Sequence, residues 1–429
     1  MKEIRFVQSY TAENSRTFVK LFFDMPEGIE RIEVDYDYPR YAEESFPEGR
    51  SLREANIIDL GIFDEKDRLW GWSGSNQRSV FCSSTAASPG YRHGIFAKGR
   101  WAVCLGLYKI ENTVKAEVVL RMYPREKKLY RGDLHIHTVN SDGSYKTSFV
   151  IDMCEKAGLD FIALTDHNNM KQNAEIGNPQ KISVIRGVEF TNYRGHANFF
   201  FPDPNTVFYD DFLSNNFEEM AGLFRRAKEA GAVISINHPV SECPWEFGYA
   251  NFPFDLIEVW NGPMRGCNMK SVELWNEMLC QGKMINAVAG SDLHTNGLGG
   301  TFANPCTMVY SESPDPAELL ANLVAGHSCI AFGPNGPQLD LEVGGSGMGS
   351  IVPHKPGLAG IAILANVRKD DLVRIIDCDG TAVEFRVPYH GNYTCEFPVE
   401  KRLFYRLELY RSLLDNIVLC ALSNPVYIR

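Results

Sequence analysis

Over residues 131 to 333, apolar runs of four or five residues alternate with stretches whose apolar positions recur at helical spacing. That alternation limits the fold more than any other feature. Phe161-Ile-Ala-Leu164, Ala232-Val-Ile-Ser-Ile236, Leu256-Ile-Glu-Val-Trp260, Ile285-Asn-Ala-Val-Ala289 and Thr307-Met-Val-Tyr310 read as strands, and residues 184–185 and 197–201 are further candidates. Between them, Val150, Met153, Cys154 and Ala157 stand at i, i+3, i+4 and i+7, with Gly158 placed to stop the helix. Met220, Leu223, Phe224 and Ala227 repeat the spacing ahead of Gly231, and residues 270–280 and 315–325 suit two more helices. A chain written this way predicts an α/β architecture, either a barrel of parallel strands or a doubly wound sheet.

The flanks follow a different pattern. Residues 1–130 carry short alternating runs such as Ile32-Glu-Val-Asp-Tyr36 and Val114-Lys-Ala-Glu-Val-Val-Leu120, separated by Pro and Gly turns, which predicts a β-sandwich-like domain. After the Gly/Pro-rich stretch 332–338, strand runs return, with Asp379-Gly380 as a hairpin turn, and residues 334–429 are expected to form a C-terminal β-rich domain. A chain of 429 residues is too long for one ordinary core. No apolar run approaches the ~18 residues of a membrane span, and the first ten residues do not resemble a signal peptide. Eleven scattered cysteines without a Cys-x-x-Cys fit reduced thiols, hence a cytoplasmic location. A net charge of -11 excludes broad binding to nucleic-acid polymers or anionic membranes, and leaves a small substrate as the expected partner. Oligomeric state is left open.

The chemistry sits at the strand ends. His135 and His137, two residues apart in an extended segment, leave the same face and can reach one ion; Asp142 follows closely. Nearly every apolar run of the middle segment then closes or opens on a potential ligand: Asp166-His167, Glu189, His196, His238, and Asp292 with His294. C-terminal strand ends are where barrels and open α/β sheets build their sites. Imidazole and carboxylate are ligands that zinc, manganese and iron accept. Six of the ten histidines occupy these positions, whereas His93, His327, His354 and His390 fall in turns or at a helix end and suit ordinary surface roles. Asp166 and His167 are adjacent and point apart if extended, so one ligand and one supporting partner are expected there.

Asp133-Leu-His-Ile-His137, Ser141-Asp-Gly143, Leu164-Thr-Asp-His167, Gly187-Val-Glu189, Asn237-His-Pro239 and Gly290-Ser-Asp-Leu-His294 together resemble the polymerase and histidinol phosphatase (PHP) superfamily of metal-dependent phosphoesterases, over residues 131 to about 333. Gly195-His-Ala-Asn198, Glu258-Val-Trp-Asn261 and the β-rich ends look like its CehA/McbA-like branch. The resemblance implies a distorted (β/α)7 barrel over 131–333, flanked by the two β-rich domains. It also implies up to three divalent ions: one on His135, His137, Glu189 and Asp292, a second sharing Glu189 with His196 and His238, a third on Asp142, His167 and His294.

Paired metals ~3.5–4 Å apart can bridge a hydroxide and lower its pKa toward ~7. Three divalent ions against Asp142, Glu189 and Asp292 leave about +3 locally, enough to hold a phosphate on an acidic protein. The expected activity is therefore hydrolysis of phosphate mono- or diesters of a small organic molecule, cyclic diesters included, with Asp292, Glu189 and His238 as catalytic residues. Amide or carbamate hydrolysis on the same ions is the alternative. Lys146, Arg194, Asn198, Asn261 and Arg265 are candidate substrate contacts.

Overall fold

The computed structural model describes every residue except 48, 85, 178–181, 209–211, 251, 296, 298, 299 and 415. The chain divides into two compact units, Met1–Glu126 and Lys127–Arg429. In the first, the strands Lys2–Tyr10, Val114–Pro124, Ile29–Asp37 and Ser79–Ser83 form one antiparallel sheet in that order. Thr17–Met25, Gly99–Ile110, Asn56–Phe63 and Leu69–Ser73 form a second. Strand periodicity turns Ile32, Val34, Ile58, Leu60, Ile62, Val103 and Leu105 to one side, and all are buried in a single cluster. The hairpin Tyr41–Phe46 with Gly49–Glu54 escaped the sequence reading because it is largely exposed, so no apolar alternation marks it.

In the second unit, strands β1 (Lys128–Asp133), β2 (Phe161–Leu164), β3 (Ser183–Asn192), β4 (Gly195–Phe201), β5 (Val233–Ile236), β6 (Leu256–Asn261) and β7 (Asn286–Gly290) lie side by side in sequence order. They are joined by helices α1 (Thr147–Lys156), α2 (Phe217–Glu229) and α3 (Gly266–Cys280). Local chemistry explains the helix starts. Asn216 caps α2 by accepting from Glu219 N, with Glu218 and Glu219 in the first turn and Arg226 and Lys228 in the last. Helix α4 (Pro316–Val324) has Asp315 as its cap and Pro in its first turn.

The pairing corrects the expectation of an all-parallel run. β4 is antiparallel to both β3 and β5, while the other neighbours within the seven are parallel. Only Tyr193 and Arg194 separate β3 from β4, and a two-residue loop can join only antiparallel strands. The outer edges of the run also meet. Ile136, beyond β1, forms a parallel bridge with Leu293, beyond β7; Asp292 N donates to His135 O at 2.8 Å and His137 N to Leu293 O at 3.1 Å.

β8 (Cys306–Ser311) pairs with β1, and β9 (Ser328–Ala331) with β8. From β9 the same sheet continues into Asn416–Ser423, Phe404–Leu413, Leu372–Asp377 and Gly380–Arg386. Residues 334–429, set apart by composition, thus share a sheet with residues 127–333. They share a core as well, since Ile136, Leu164 and Met308 cluster with Leu341, Val373 and Leu407. The Gly/Pro-rich stretch 332–338 is a packed turn: Phe332 N donates to Cys420 O, Arg131 Nε to Pro334 O and Asn366 Nδ2 to Gly336 O. Turn composition reads alike in a linker and in a tight connection. The upstream boundary falls at 126/127 because the charged run after Glu126 becomes β1 itself. All eleven cysteines are free, and no helix among the described residues is long and apolar enough to cross a membrane.

Candidate metal centre

The ends of these strands converge. His135 and His137, just past β1, are fully buried, and Glu189 reaches the same point from β3. His167 lies three residues beyond β2, His238 two beyond β5, Asp292 and His294 beyond β7; His196 projects from β4 and Asp142 from the segment before α1. Two of these residues hold left-handed backbone, His238 at φ 26° and Asp292 at φ 50°, strain of the kind that concentrates at functional sites. Gly290 has to be bare, because a Cβ there would sit 2.3 Å from His135 Cβ and 2.8 Å from His135 N.

Glu189 is the hub. Its Oε1 lies 3.1 Å from His135 Nε2, 3.3 Å from His196 Nδ1 and 3.6 Å from His238 Nε2; Oε2 lies 2.8 Å from His167 Nδ1 and 3.6 Å from His137 Nε2. Asp292 Oδ1 stands 3.1 Å from His137 Nε2 and 3.3 Å from His135 Nε2. Asp142 Oδ1 completes a separate corner, 3.2 Å from His294 Nε2 and 3.4 Å from His167 Nε2. Three groups of potential ligand atoms result: His135, His137 and Glu189; Glu189, His196 and His238; His137, Asp142, His167 and His294. The structure thus brings all nine sequence-predicted residues together, and it adds His137 to the corner built by Asp142.

Supporting hydrogen bonds aim the rings. His135 Nδ1 lies 3.0 Å from Glu258 Oε1, His238 Nδ1 3.1 Å from Ser241 Oγ and His294 Nδ1 2.9 Å from Asp292 O, so Nε2 of each ring faces the cluster. Asn237 Nδ2 donates to Glu189 Oε1 at 2.8 Å. Asp166 stands behind the centre, accepting from Thr138 N, Thr138 Oγ1 and Ser141 Oγ. Glu258 was missed as a site residue, although a carboxylate inside Leu-Ile-Glu-Val-Trp-Asn, a strand buried throughout, needs a partner and is itself the signal.

Electrostatics and spacing test whether cations fit. Burial opposes charge on His135, yet Asp292, Glu189 and Glu258 hold its pKa well above the ordinary histidine value. Against the same burial, Glu189 raises His167 and His238, while at His137 burial wins and the pKa is lowered. Burial likewise opposes ionisation of Glu189 and Asp292, but His135 above all keeps both well below the usual carboxylate range. Such a cluster demands positive charge. Two ligand atoms each ~2.1 Å from one tetrahedral ion are roughly 3.4 Å apart, close to the separations seen here. His135 Nε2 is buried without an aligned hydrogen bond among the described residues, a ring nitrogen placed for a ligand bond. Divalent metal ions therefore fit the donor set.

A cleft of 510 Å³ opens over the centre, lined by His167, His196, His238, Asp292, His294, Asn261 and Arg265 among others. Of the candidate substrate contacts, Asn261 and Arg265 are thus at the cleft. Arg265 is exposed there, and its Nη2 donates to Asn261 O at 3.4 Å. Lys146 and Arg194 are exposed but are not among the lining residues. Asn198 is buried, its Nδ2 donates to Leu134 O at 3.2 Å, and it is not among the lining residues.

Residues 133–238 match the family model described as the PHP domain. No curated protein matches the sequence. Among solved structures, a two-domain protein containing a predicted PHP-like metal-dependent phosphoesterase from Bacteroides vulgatus is similar at 18% identity and a TM-score of 0.40, over 69% of this chain and 95% of its own. A protein described as a metal-dependent phosphoesterase, from Bifidobacterium adolescentis, matches at 15% identity and 0.29, over 40% and 90%. An amidohydrolase from Chromobacterium violaceum, solved with sulfate and no metal, matches at 17% and 0.30, over 39% and 89%. Seven of the nine converging residues lie within the 133–238 segment that matches the PHP domain model.

Proposed function

We propose that this chain hydrolyses a phosphate ester of a small organic molecule, monoester or diester and cyclic diesters included, with two or three divalent ions of zinc, manganese or iron held by the nine converging residues. One observation carries the reading: the two oxygens of Glu189 stand among five imidazoles at 2.8–3.6 Å, the place of a carboxylate shared between cations. Bound there, such ions supply Lewis acidity toward phosphoryl oxygens and a water whose pKa approaches ~7. The chain's own groups do the rest. Asp292 lines the cleft and its Oδ2 accepts from Asn261 Nδ2 at 3.2 Å, which places its carboxylate to take a proton. Glu189 and His238 hold the reacting centre, and Arg265 and Asn261 face the substrate.

Cleft size favours a small molecule over a polymer, in keeping with the acidic surface. Ser241, the hydroxyl beside His238, gives its own hydrogen to Cys243 O, and burial raises the Cys243 thiol that also lines the cleft, which favours direct attack by water over a covalent enzyme intermediate. The seven-strand run with its Ile136–Leu293 bridge supports a distorted (β/α)7 barrel, and Glu258-Val-Trp-Asn261 supports the CehA/McbA-like branch. Eleven free thiols suit the cytoplasm.

The test is a panel of phosphomonoesters, diesters, cyclic diesters and amides with protein loaded in turn with each metal. Faster turnover of a phosphate ester, with ¹⁸O from labelled water appearing in the phosphate, is the expected result. Faster amide turnover moves the assignment to an amidohydrolase, and label in the alcohol rules out attack at phosphorus.

A further inference from the structure

We infer that Glu258 is a positioning residue for the metal centre, fixing His135 in the tautomer that can bind a cation and tying together three strand ends that carry ligands. The inference rests on the reading of the site as a metal centre. Glu258 is 2% exposed and lies on β6, a strand that contributes none of the nine converging residues. Burying a carboxylate is costly unless its oxygens are satisfied, and here they are. Oε1 lies 3.0 Å from His135 Nδ1; Oε2 accepts from His238 N at 3.0 Å and from Asn261 Nδ2 at 3.1 Å. The same Asn261 amide reaches Asp292 Oδ2 at 3.2 Å. One carboxylate thus links the ends of β1 and β5 directly and the end of β7 through Asn261.

The chemical consequence lies at His135. A carboxylate facing the ring accepts, so in the neutral ring that a cation needs Nδ1 keeps the hydrogen and Nε2, the nitrogen facing Glu189 and Asp292, is the one left to bind. The bond to His238 N matters in a second way, because His238 holds a left-handed φ of 26° that a free backbone would not favour. Gly290 supplies the space: a Cβ there would come 2.9 Å from Glu258 Oε1.

Glu258→Gln separates positioning from packing. Glutamine has the same shape but one oxygen. Two donors, His238 N and Asn261 Nδ2, face the Oε2 position and one ring nitrogen faces Oε1, so the amide oxygen goes to the two donors and the NH2 to His135. An NH2 there requires an accepting Nδ1, which moves the ring hydrogen to Nε2 and blocks the ligand atom. We expect Glu258→Gln to weaken zinc binding 10–100-fold by chelator competition, at least as much as Glu258→Ala does, and to alter the visible spectrum of the cobalt-substituted protein. The melting temperature of the metal-free Gln variant should stay within a few degrees of wild type. Glu258→Gln binding zinc like wild type, with only Glu258→Ala impaired, overturns the inference and leaves the metal centre standing. Failure of wild type itself to bind zinc, manganese, iron or cobalt overturns the metal reading and this inference with it.

Discussion

Asp166 and His167 are neighbours in the chain and face opposite ways: His167 Nδ1 lies 2.8 Å from Glu189 Oε2, while Asp166 turns back to accept from Thr138 N at 2.8 Å, Thr138 Oγ1 at 2.9 Å and Ser141 Oγ at 2.7 Å. The alternation of an extended backbone produces this division, one side chain toward the cluster and one toward the segment that carries Asp142.

Removing Asp166 should therefore act on one corner of the centre. Asp166→Ala leaves Thr138 N buried without its acceptor and frees the turn leading to Asp142, at a cost of about 3 kcal/mol. Denaturant unfolding should show that loss. Metal analysis should show one ion fewer, with the ions held by Glu189 retained. Unchanged stoichiometry would mean that Asp142 keeps its place unaided.

Substitution at the hub should be more general. Glu189→Gln keeps the volume and the bond from Asn237 but removes the charge that faces His135, His167 and His196. Metal affinity should fall by more than roughly 100-fold, the upper end for an outer partner, with hydrolysis falling alongside. Full metal content and full activity in this variant would refute a shared carboxylate.

Stability against pH should change sign with metal. His135, His167 and His238 have raised pKa values in the folded chain, so their stabilisation is complete below the unfolded histidine value of about 6.5 and is lost as pH rises through the folded values. Asp133, pushed up by burial to about 6, adds to the same trend; His137, lowered, opposes it. With a chelator present, the melting temperature should fall between pH 6 and 8. With zinc it should rise over that range, because ligation needs unprotonated imidazoles. Parallel profiles in the two conditions would remove the cluster from the account.

Much of this site was legible in the sequence because ligands at strand ends leave a mark: His135 and His137 at i, i+2 share a face, and Asp292 and His294 repeat the device. The helices were legible from their spacing and stop glycines, α2 from Met220, Leu223, Phe224 and Ala227 ahead of Gly231. What escaped depends on partners rather than on pattern. Glu258 is one polar residue in an apolar strand, and periodicity reports which face a residue takes, not that His135 waits opposite. The reversal of β4 hangs on Tyr193 and Arg194, neither of them a glycine or asparagine that would announce a two-residue turn. Residues 332–338 look like a linker until Arg131 and Asn366 are seen bonding their carbonyls. Lys146, Arg194 and Arg265 were equal candidates as sequence, since the direction of an exposed side chain follows from the fold alone.

Those three cations now separate, and their kinetics should as well. Arg265 stands at the cleft before the first turn of α3, and its contact with Asn261 O at 3.4 Å leaves the guanidinium free to meet an anion. A charge-assisted hydrogen bond is worth about 1.5–3 kcal/mol, so Arg265→Ala should raise KM for a phosphate ester roughly 10–100-fold, with metal content unchanged. Arg265→Lys should recover part of the loss, because a point charge keeps the attraction and not the paired geometry. Arg194→Ala and Lys146→Ala, on residues outside the lining, should leave KM within about twofold of wild type, the scale of an ordinary surface substitution. Steady-state kinetics on the preferred ester checks all four. A KM unmoved by Arg265→Ala and raised by Arg194→Ala would place the substrate on the β3–β4 side of the centre instead of at the mouth of α3.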